Sequence, residues 1–251
     1  MSLLALNLGG GAAAFDPALT TSIFDDFSWG NESNTPNGPF GFVPTGSAGG
    51  GIFTPANVTA SLTNRFGVIG IGLGTSANST ADAAFFSDYA LYYPGQASSA
   101  TLQFSLNTPS ALADVTNDYV IDVGFRSDFG THAQAANAMT ISYSRTLSAN
   151  WMGYTSNNGS VTNVTTSDAA LAVTASAWWN FKIVVTATTV SFYAAVPGAA
   201  WTLIGTSTTN LPDSTHKPFI TGMIYKTSSF ALQRMMAVDY VKFDATFSSA
   251  R

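Results

Sequence analysis

Large apolar side chains fall on every second position of residues 178–194, which read WWNFKIVVTATTVSFYA. The alternating residues of the first half are Trp179, Phe181, Ile183 and Val185. A period of two is the pattern of a β-strand that buries one face. Because the pattern breaks briefly near residue 187 and then resumes, we predict an antiparallel hairpin. Its apolar face requires a second sheet to cover it.

The rest of the chain repeats this pattern in short segments separated by Gly, Pro, Asn and Ser. About a dozen such segments with frequent turn signals are typical of a β-sandwich, and no helical periodicity persists anywhere. We therefore predict an all-β fold in which residues 21–251 form one two-sheet antiparallel sandwich. Residues 30–51, rich in Gly, Pro and Asn, are predicted to form a long loop.

Few side chains carry charge. Asp, Glu, Lys and Arg make up 9% of the 251 residues, against about 25% in an average protein. The predicted surface is neutral and polar, which suits a particle shell or an extracellular module better than a cytosolic enzyme. A net charge of −5 without a basic cluster argues against nucleic-acid binding. With no cysteine, thiol catalysis and thiolate metal sites are excluded.

The first twenty residues differ from the rest in being apolar and rich in Gly and Ala. They contain no basic residue that could begin a secretory signal, and no stretch of the chain is apolar for long enough to predict a membrane span. We interpret residues 1–20 as an extended N-terminal arm that docks on a neighbouring subunit. A flexible tail is the alternative.

The carboxylates do not form a catalytic pair in the sequence. Glycan hydrolysis requires two carboxylates about 5–9 Å apart, and Glu32 is the sole glutamate. Asp25 and Asp26 point to opposite faces if they lie in a strand. Asp118 and Asp122 share a face but lie ~13 Å apart by strand rise. We assign no catalytic residue.

Other short patterns have plain interpretations. His132 and His216 lie in polar segments, and the Asp213-Ser214-His216 set is read as loop residues rather than as a catalytic triad. The glycines at 70, 72 and 74 are not followed by the Lys-Ser/Thr of a phosphate loop. We predict no bound cofactor.

Two ligand classes stay open. Calcium prefers oxygen ligands, and Asp25 or Asp26 would approach Asp239 if the first and last strands pair; residues 114–118 are a second acidic segment. Turn stabilisation is the alternative role for these aspartates, and we assign no metal ligand. Glycans bind exposed aromatic residues, but aromatic residues at alternate positions are more often core. The candidates are Trp29, Tyr92, Tyr93, Trp151, Tyr154 and Trp201.

The order of several short motifs resembles a known family. The motifs are DDF at 25–27, NRFGVI at 64–69, GLGT at 72–75, NW at 150–151, NNG at 157–159, AVT at 172–174, WWNFKI at 178–183, VSFY at 190–193, TTNLP at 208–212 and VDYV at 238–241. Together they resemble the concanavalin A-like (lectin/glucanase) jelly-roll domain of tailed-bacteriophage virion proteins.

The resemblance implies two stacked, curved antiparallel sheets and a role in a virus particle. It leads us to expect a non-enzymatic bacteriophage structural protein, a capsid decoration or head-spike protein on the particle surface, attached through its arm. Its expected partners are capsid or tail subunits and further copies of itself, since threefold clustering is common in such proteins. The alternatives are a carbohydrate-binding adhesin on a tail or spike, which would bind host surface glycans, and a glycan hydrolase. Related glucanases carry two glutamates on one face of a single strand, which this chain lacks.

Overall fold

The computed structural model describes residues 20–25, 40, 42–47, 51–53, 68–87, 97–127, 135–213 and 215–247. Across these ranges the regular structure is β-strand apart from a short 3₁₀ helix at Ala169–Leu171. The strands are β1 (Thr20–Asp25), β2 (Phe42–Ser47), β3 (Gly51–Phe53), β4 (Ile69–Leu73), β5 (Asp82–Ser87), β6 (Ala97–Asn107), β7 (Tyr119–Arg126), β8 (Ala138–Ser144), β9 (Met152–Asn157), β10 (Ser160–Val164), β11 (Trp178–Thr186), β12 (Val190–Ala195), β13 (Thr202–Ser207), β14 (Phe219–Lys226) and β15 (Arg234–Phe247).

These strands form two antiparallel sheets. Sheet A has the order β13-β12-β11-β6-β15-β4-β3, and β1 also pairs with β15. Sheet B has the order β10-β9-β8-β7-β14-β5-β2. The long β15 organises sheet A: it pairs with β6 along one side, while its first half pairs with β4 and its second half with β1 on the other. The predicted all-β, two-sheet antiparallel sandwich is confirmed.

The core lies between the sheets. Strands β11 and β12 form the predicted hairpin, with Ile183 opposite Phe192. Trp179, Phe181 and Ile183 are buried on its inner face. Trp151, which immediately precedes β9 of sheet B, places its ring 4.6 Å from that of Phe181 in sheet A. Aromatic contacts of this kind join the two layers.

The loop prediction for residues 30–51 is wrong in part, because β2 and the first residue of β3 fall inside it. Phe42 begins β2 and is 2% exposed. Its ring lies 4.9 Å from Phe85 of β5, the strand with which β2 pairs. Burial against Phe85 and backbone pairing with β5 outweigh the turn-forming composition, since β-propensity depends strongly on tertiary context.

Several sequence-based predictions lie outside the described residues. They concern residues 1–19 of the predicted arm, Asp26, Trp29, Glu32, residues 64–67, Tyr92, Tyr93 and His132. Strand β1 begins at Thr20, the last residue assigned to the arm. Within the described ranges no helix has the length and apolar character needed to cross a bilayer.

Candidate functional site

A cluster of buried polar residues lies on the outer face of sheet B. On β7, Ile121, Val123 and Phe125 point into the core, so Asp122 and Arg126 point away from it. Strand register places Ser142 of β8 on one side of Asp122 and Met223 of β14 on the other. The period-two pattern of each strand thus brings one residue from each of three strands into a single row.

Hydrogen bonds and an ion pair connect this row. Arg126 Nη1 lies 3.3 Å from Asp122 Oδ2 and 3.3 Å from Met223 Sδ. Ser142 Oγ donates to Asp122 Oδ1, and the hydroxyls of Ser142 and Thr140 lie 3.2 Å apart. Asp122 is 3% exposed and Arg126 0%. The carboxylate is therefore covered and already engaged by a guanidinium and a hydroxyl.

Tyr225 extends the cluster along β14. Burial, followed by the nearby Asp122 charge, raises the pKa of Tyr225, whose hydroxyl is hydrogen-bonded to that carboxylate. A phenol in this position stays protonated at neutral pH and donates its hydrogen to Asp122. The cluster thus supplies the aspartate with donors from three strands, an arrangement suited to fixing a sheet.

Asp118 and Asp122, rejected as a catalytic pair because of their spacing, interact with different groups in the structure. Asp118, just before β7, accepts a hydrogen bond from Thr227 Oγ1 at 2.7 Å and lies 3.3 Å from Arg145 Nε. Asp122 has the separate partners described above.

Asp25 is 2% exposed and lies opposite Val241 of β15, so the expected pairing of the first and last strands is confirmed. In the described part of the chain no three His, Asp or Glu side chains group as metal ligands.

Asp114 and Asp213, both in predicted loops, form hydrogen bonds within local turns. Asp114 accepts hydrogen bonds from the side-chain amide of Asn117 and from the backbone N–H groups of Asn117 and Thr116, the latter two at 2.8 Å each. The Asn117 side chain, followed by these two backbone groups, lowers the pKa of Asp114. Asp213 Oδ1 accepts from the backbone N–H of Thr215 at 2.8 Å and lies 3.0 Å from His216 Nδ1. Both aspartates stabilise local turns. This is the alternative role given above for residues 114–118, and Asp213 is a loop residue as predicted.

The aromatic residues considered as possible glycan contacts differ in solvent exposure. Trp151 is 0% and Tyr154 2% exposed, which confirms the core interpretation for these two. Trp201 is 36% exposed. Its ring centroid lies 4.9 Å from Lys182 Nζ, which also lies 4.4 Å from the ring centroid of Tyr193. The outer face of sheet A thus carries an accessible cation–π group.

Sequence reasoning missed the role of Arg126. A signal was present, because Arg126 follows Asp122 by four residues in a strand and side chains two or four apart share a face. The partners Ser142 and Met223 had no comparable signal, since their positions depend on the register of β8 and β14 against β7.

Comparison with solved structures identifies the fold. The SO2946 protein of Shewanella oneidensis MR-1, a protein of unknown function, superposes with a TM-score of 0.66 at 13% identity, covering 96% of this chain and 99% of its own. An endo-1,3-beta-glucanase from Streptomyces sioyaensis gives 0.56 at 12% identity over 94% and 100% of the two chains. Peanut lectin gives 0.55 at 12% identity over 92% and 99%. The fold is the concanavalin A-like jelly roll.

No curated protein matches the sequence. The family model described as "SO2946-like, C-terminal domain" matches residues 64–239, which is more than half of the chain. This protein therefore belongs to the SO2946-like C-terminal domain family.

Proposed function

We propose that this protein is a non-enzymatic structural protein of a bacteriophage virion, a capsid decoration or head-spike protein exposed on the particle. It acts through surface contacts with neighbouring virion subunits and with copies of itself. The non-enzymatic part of the proposal rests on Asp122, whose carboxylate is buried and paired with Arg126. The order of motifs noted in the sequence and the low content of charged residues favour the virion role.

Asp122 is poorly placed for glycan hydrolysis. A general acid or nucleophile must reach the glycosidic bond, and a second carboxylate must lie within about 5–9 Å. Asp122 is 3% exposed, and the residue four positions along its strand face is Arg126. The ionic partner of Asp122 is therefore the Arg126 guanidinium, a cation, and not a second carboxylate.

The outer face of sheet A offers a surface suited to packing in a shell. One row across this face consists of Phe24, Lys242, Gln103, Lys182, Tyr193 and Leu203, and the carboxylate of Asp244 in the adjacent row lies 2.8 Å from Lys242 Nζ. Leu203 and Phe24, at its two ends, are 50% and 52% exposed. Four of the six side chains in this row are uncharged, which leaves few like-charge contacts between symmetry-related copies.

Purified particles of a phage that encodes this chain provide the test. Mass spectrometry should find the chain in the particles, and cryo-microscopy with bound antibody fragments should place it on the capsid surface. Deleting residues 1–19 should prevent attachment and leave the sandwich folded by circular dichroism. Particles that lack the chain, or that carry it inside the capsid, would refute the proposal.

Glycan binding is the second candidate function. Exposed Trp201 beside Lys182 and Tyr193 provides an aromatic surface with a polar edge, the kind of group that contacts sugars. The solved structures that share this fold include a lectin and a glucanase by name. A glycan array should give signals that are lost in Trp201→Ala. Release of reducing ends from polysaccharides by the purified protein would instead favour a hydrolase.

A further inference from the structure

A groove crosses the outer face of sheet A where β1 and β6 flank β15. Its volume is about 390 Å³, near the lower end of the roughly 300–1,000 Å³ of small-molecule sites. Hydroxyl side chains and one carboxylate dominate the lining, which comprises Thr20, Thr21, Ser22, Ser99, Thr101, Asp244, Ala245 and Thr246. Register explains the composition, because Asp244 lies between Ser22 of β1 and Thr101 of β6 in one transverse row.

The Asp244 carboxylate is fixed but still accessible. Ser22 Oγ donates to its Oδ1 at 2.6 Å, and Lys242 Nζ lies 2.8 Å from its Oδ2. The Asp244 side chain nevertheless remains 35% exposed. A carboxylate has about four acceptor positions, so two partners leave capacity for a ligand. Lys242 balances the charge, which makes the groove close to neutral.

The groove also offers free donors. The hydroxyls of Ser99, Thr101 and Thr246 make no hydrogen bond to other described residues. Each hydroxyl can donate one hydrogen bond and accept two. Three such groups around a fixed carboxylate match a ligand that itself carries several neighbouring hydroxyls.

An aromatic surface borders the groove one row further along. Phe24 of β1, 52% exposed, stacks on Tyr240 of β15 with ring centroids 6.0 Å apart and an interplanar angle of 27°. Phe24 lies opposite Lys242, next to the row of Asp244. An apolar ring face beside convergent polar groups suits a molecule with one C–H-rich face and hydroxyls around its edge.

We infer that this groove binds a neutral saccharide of one or two hexose units, the end or an internal segment of a polysaccharide. Asp244 accepts hydrogen bonds from sugar hydroxyls, Thr101 and Ser99 supply further hydrogen bonds, and the sugar ring packs on Phe24. An acidic sugar is disfavoured because its carboxylate would approach Asp244. This inference rests on the second candidate function and assigns it a site distinct from Trp201.

Saturation-transfer NMR on the full chain tests the inference, with glucose, galactose, N-acetylglucosamine and maltose as neutral probes and N-acetylneuraminic acid as the acidic one. At least one neutral probe should receive saturation, and the acidic probe should receive none. Thr101→Val removes one hydroxyl at constant shape and should weaken binding about fivefold. Asp244→Asn should weaken it more than about tenfold, because charge-assisted hydrogen bonds are the stronger ones.

Thr206→Val is the matched control, since Thr206 lies opposite Ser191 on the same outer face but on the distant strand β13. It should leave binding unchanged. Phe24→Ala should weaken binding without unfolding, because the side chain is 52% exposed.

Three results would overturn the assignment. The first is that no neutral probe receives saturation. The second is that wild type, Thr101→Val and Asp244→Asn transfer equal saturation. The third is that the acidic sugar binds more strongly than the neutral ones. If binding survives the groove variants and is lost in Trp201→Ala, the protein binds glycans but not in this groove. A dark glycan array together with no saturation transfer would refute both the glycan-binding function and the groove.

Discussion

Arg126 lies four residues after Asp122 on the same face of β7, and its guanidinium Nη1 is 3.3 Å from the Asp122 carboxylate. Both side chains are almost completely buried. The attraction in a buried ion pair is partly cancelled by the cost of removing both charges from water. Loss of one member is much more costly, because the remaining charge stays buried without its main partner.

We expect Arg126→Met to lower the free energy of unfolding by about 3–5 kcal/mol. The substitution retains much of the side-chain volume and leaves the Asp122 carboxylate without its guanidinium. Urea unfolding followed by tryptophan fluorescence gives the value. In an Asp122→Asn background the same substitution should cost at least about 2 kcal/mol less, since no charge is then left unpaired. Additive costs in this double-mutant cycle would show that the pair is not coupled.

Lys226, the last residue of β14, should be a stabilising internal cation. Its ammonium donates to the carbonyl oxygens of Ser76 and Phe230, each at 2.6 Å, and of Gly74 at 3.1 Å. It also lies 4.3 Å from the centroid of the Phe230 ring. Lys226→Met removes the donor from three carbonyls and should lower the free energy of unfolding by about 2–3 kcal/mol in urea titrations.

Chemical rescue distinguishes loss of the cation from loss of packing. In Lys226→Ala, methylammonium chloride should raise the midpoint of thermal unfolding more than it does in wild type, because the small cation can donate to the vacated carbonyls. Tetramethylammonium chloride, which has no N–H group, controls for ionic strength. Equal responses to the two salts would contradict the internal-cation role.

The parts of the fold that sequence could predict are those with local causes. The β11–β12 hairpin follows from alternating apolar residues, and the turn at Asn158-Gly159 follows from two residue types that adopt positive φ. The structure gives φ of 49° and 80° at these positions, as a two-residue hairpin turn requires. Each feature is encoded within about ten neighbouring residues, as is usual for turns and amphipathic strands.

The missed features depend on strands that are distant in the chain. The saccharide groove combines residues 20–22, 99–101 and 244–246, and none of the three segments contains an unusual motif. Strand β2 is defined by its pairing with β5 more than by its own composition. Ser, Thr and Gly are common throughout the sequence, so their convergence at one place cannot be predicted without the register of the sheets.

Gly153 of β9 illustrates a close contact between the two sheets. A Cβ added there would lie 2.2 Å from Cδ2 and 2.6 Å from Cγ of the Phe192 ring in β12. Gly153→Ala should therefore force the ring to move and cost about 1–3 kcal/mol of unfolding free energy, the usual range for overpacking. Phe192→Leu in the same chain should recover part of this loss because it removes the contacted ring atoms. If the double variant is less stable than the sum of the single effects implies, the steric explanation fails.

The buried phenol of Tyr225 should make the protein sensitive to alkali. Burial and the Asp122 charge raise the pKa of Tyr225 above its ordinary value of 10.0. Above about pH 10 the unfolded chain loses this proton while the folded chain keeps it, so the folded state binds more protons and stability falls as the pH rises. The urea midpoint should decrease between about pH 10 and 11.5, and the decrease should be shallower in Tyr225→Phe. Tyr119 and Tyr143, whose pKa values burial also raises, account for the slope that remains. Identical pH slopes in wild type and Tyr225→Phe would show that Tyr225 ionises in the folded protein as it does in the unfolded chain.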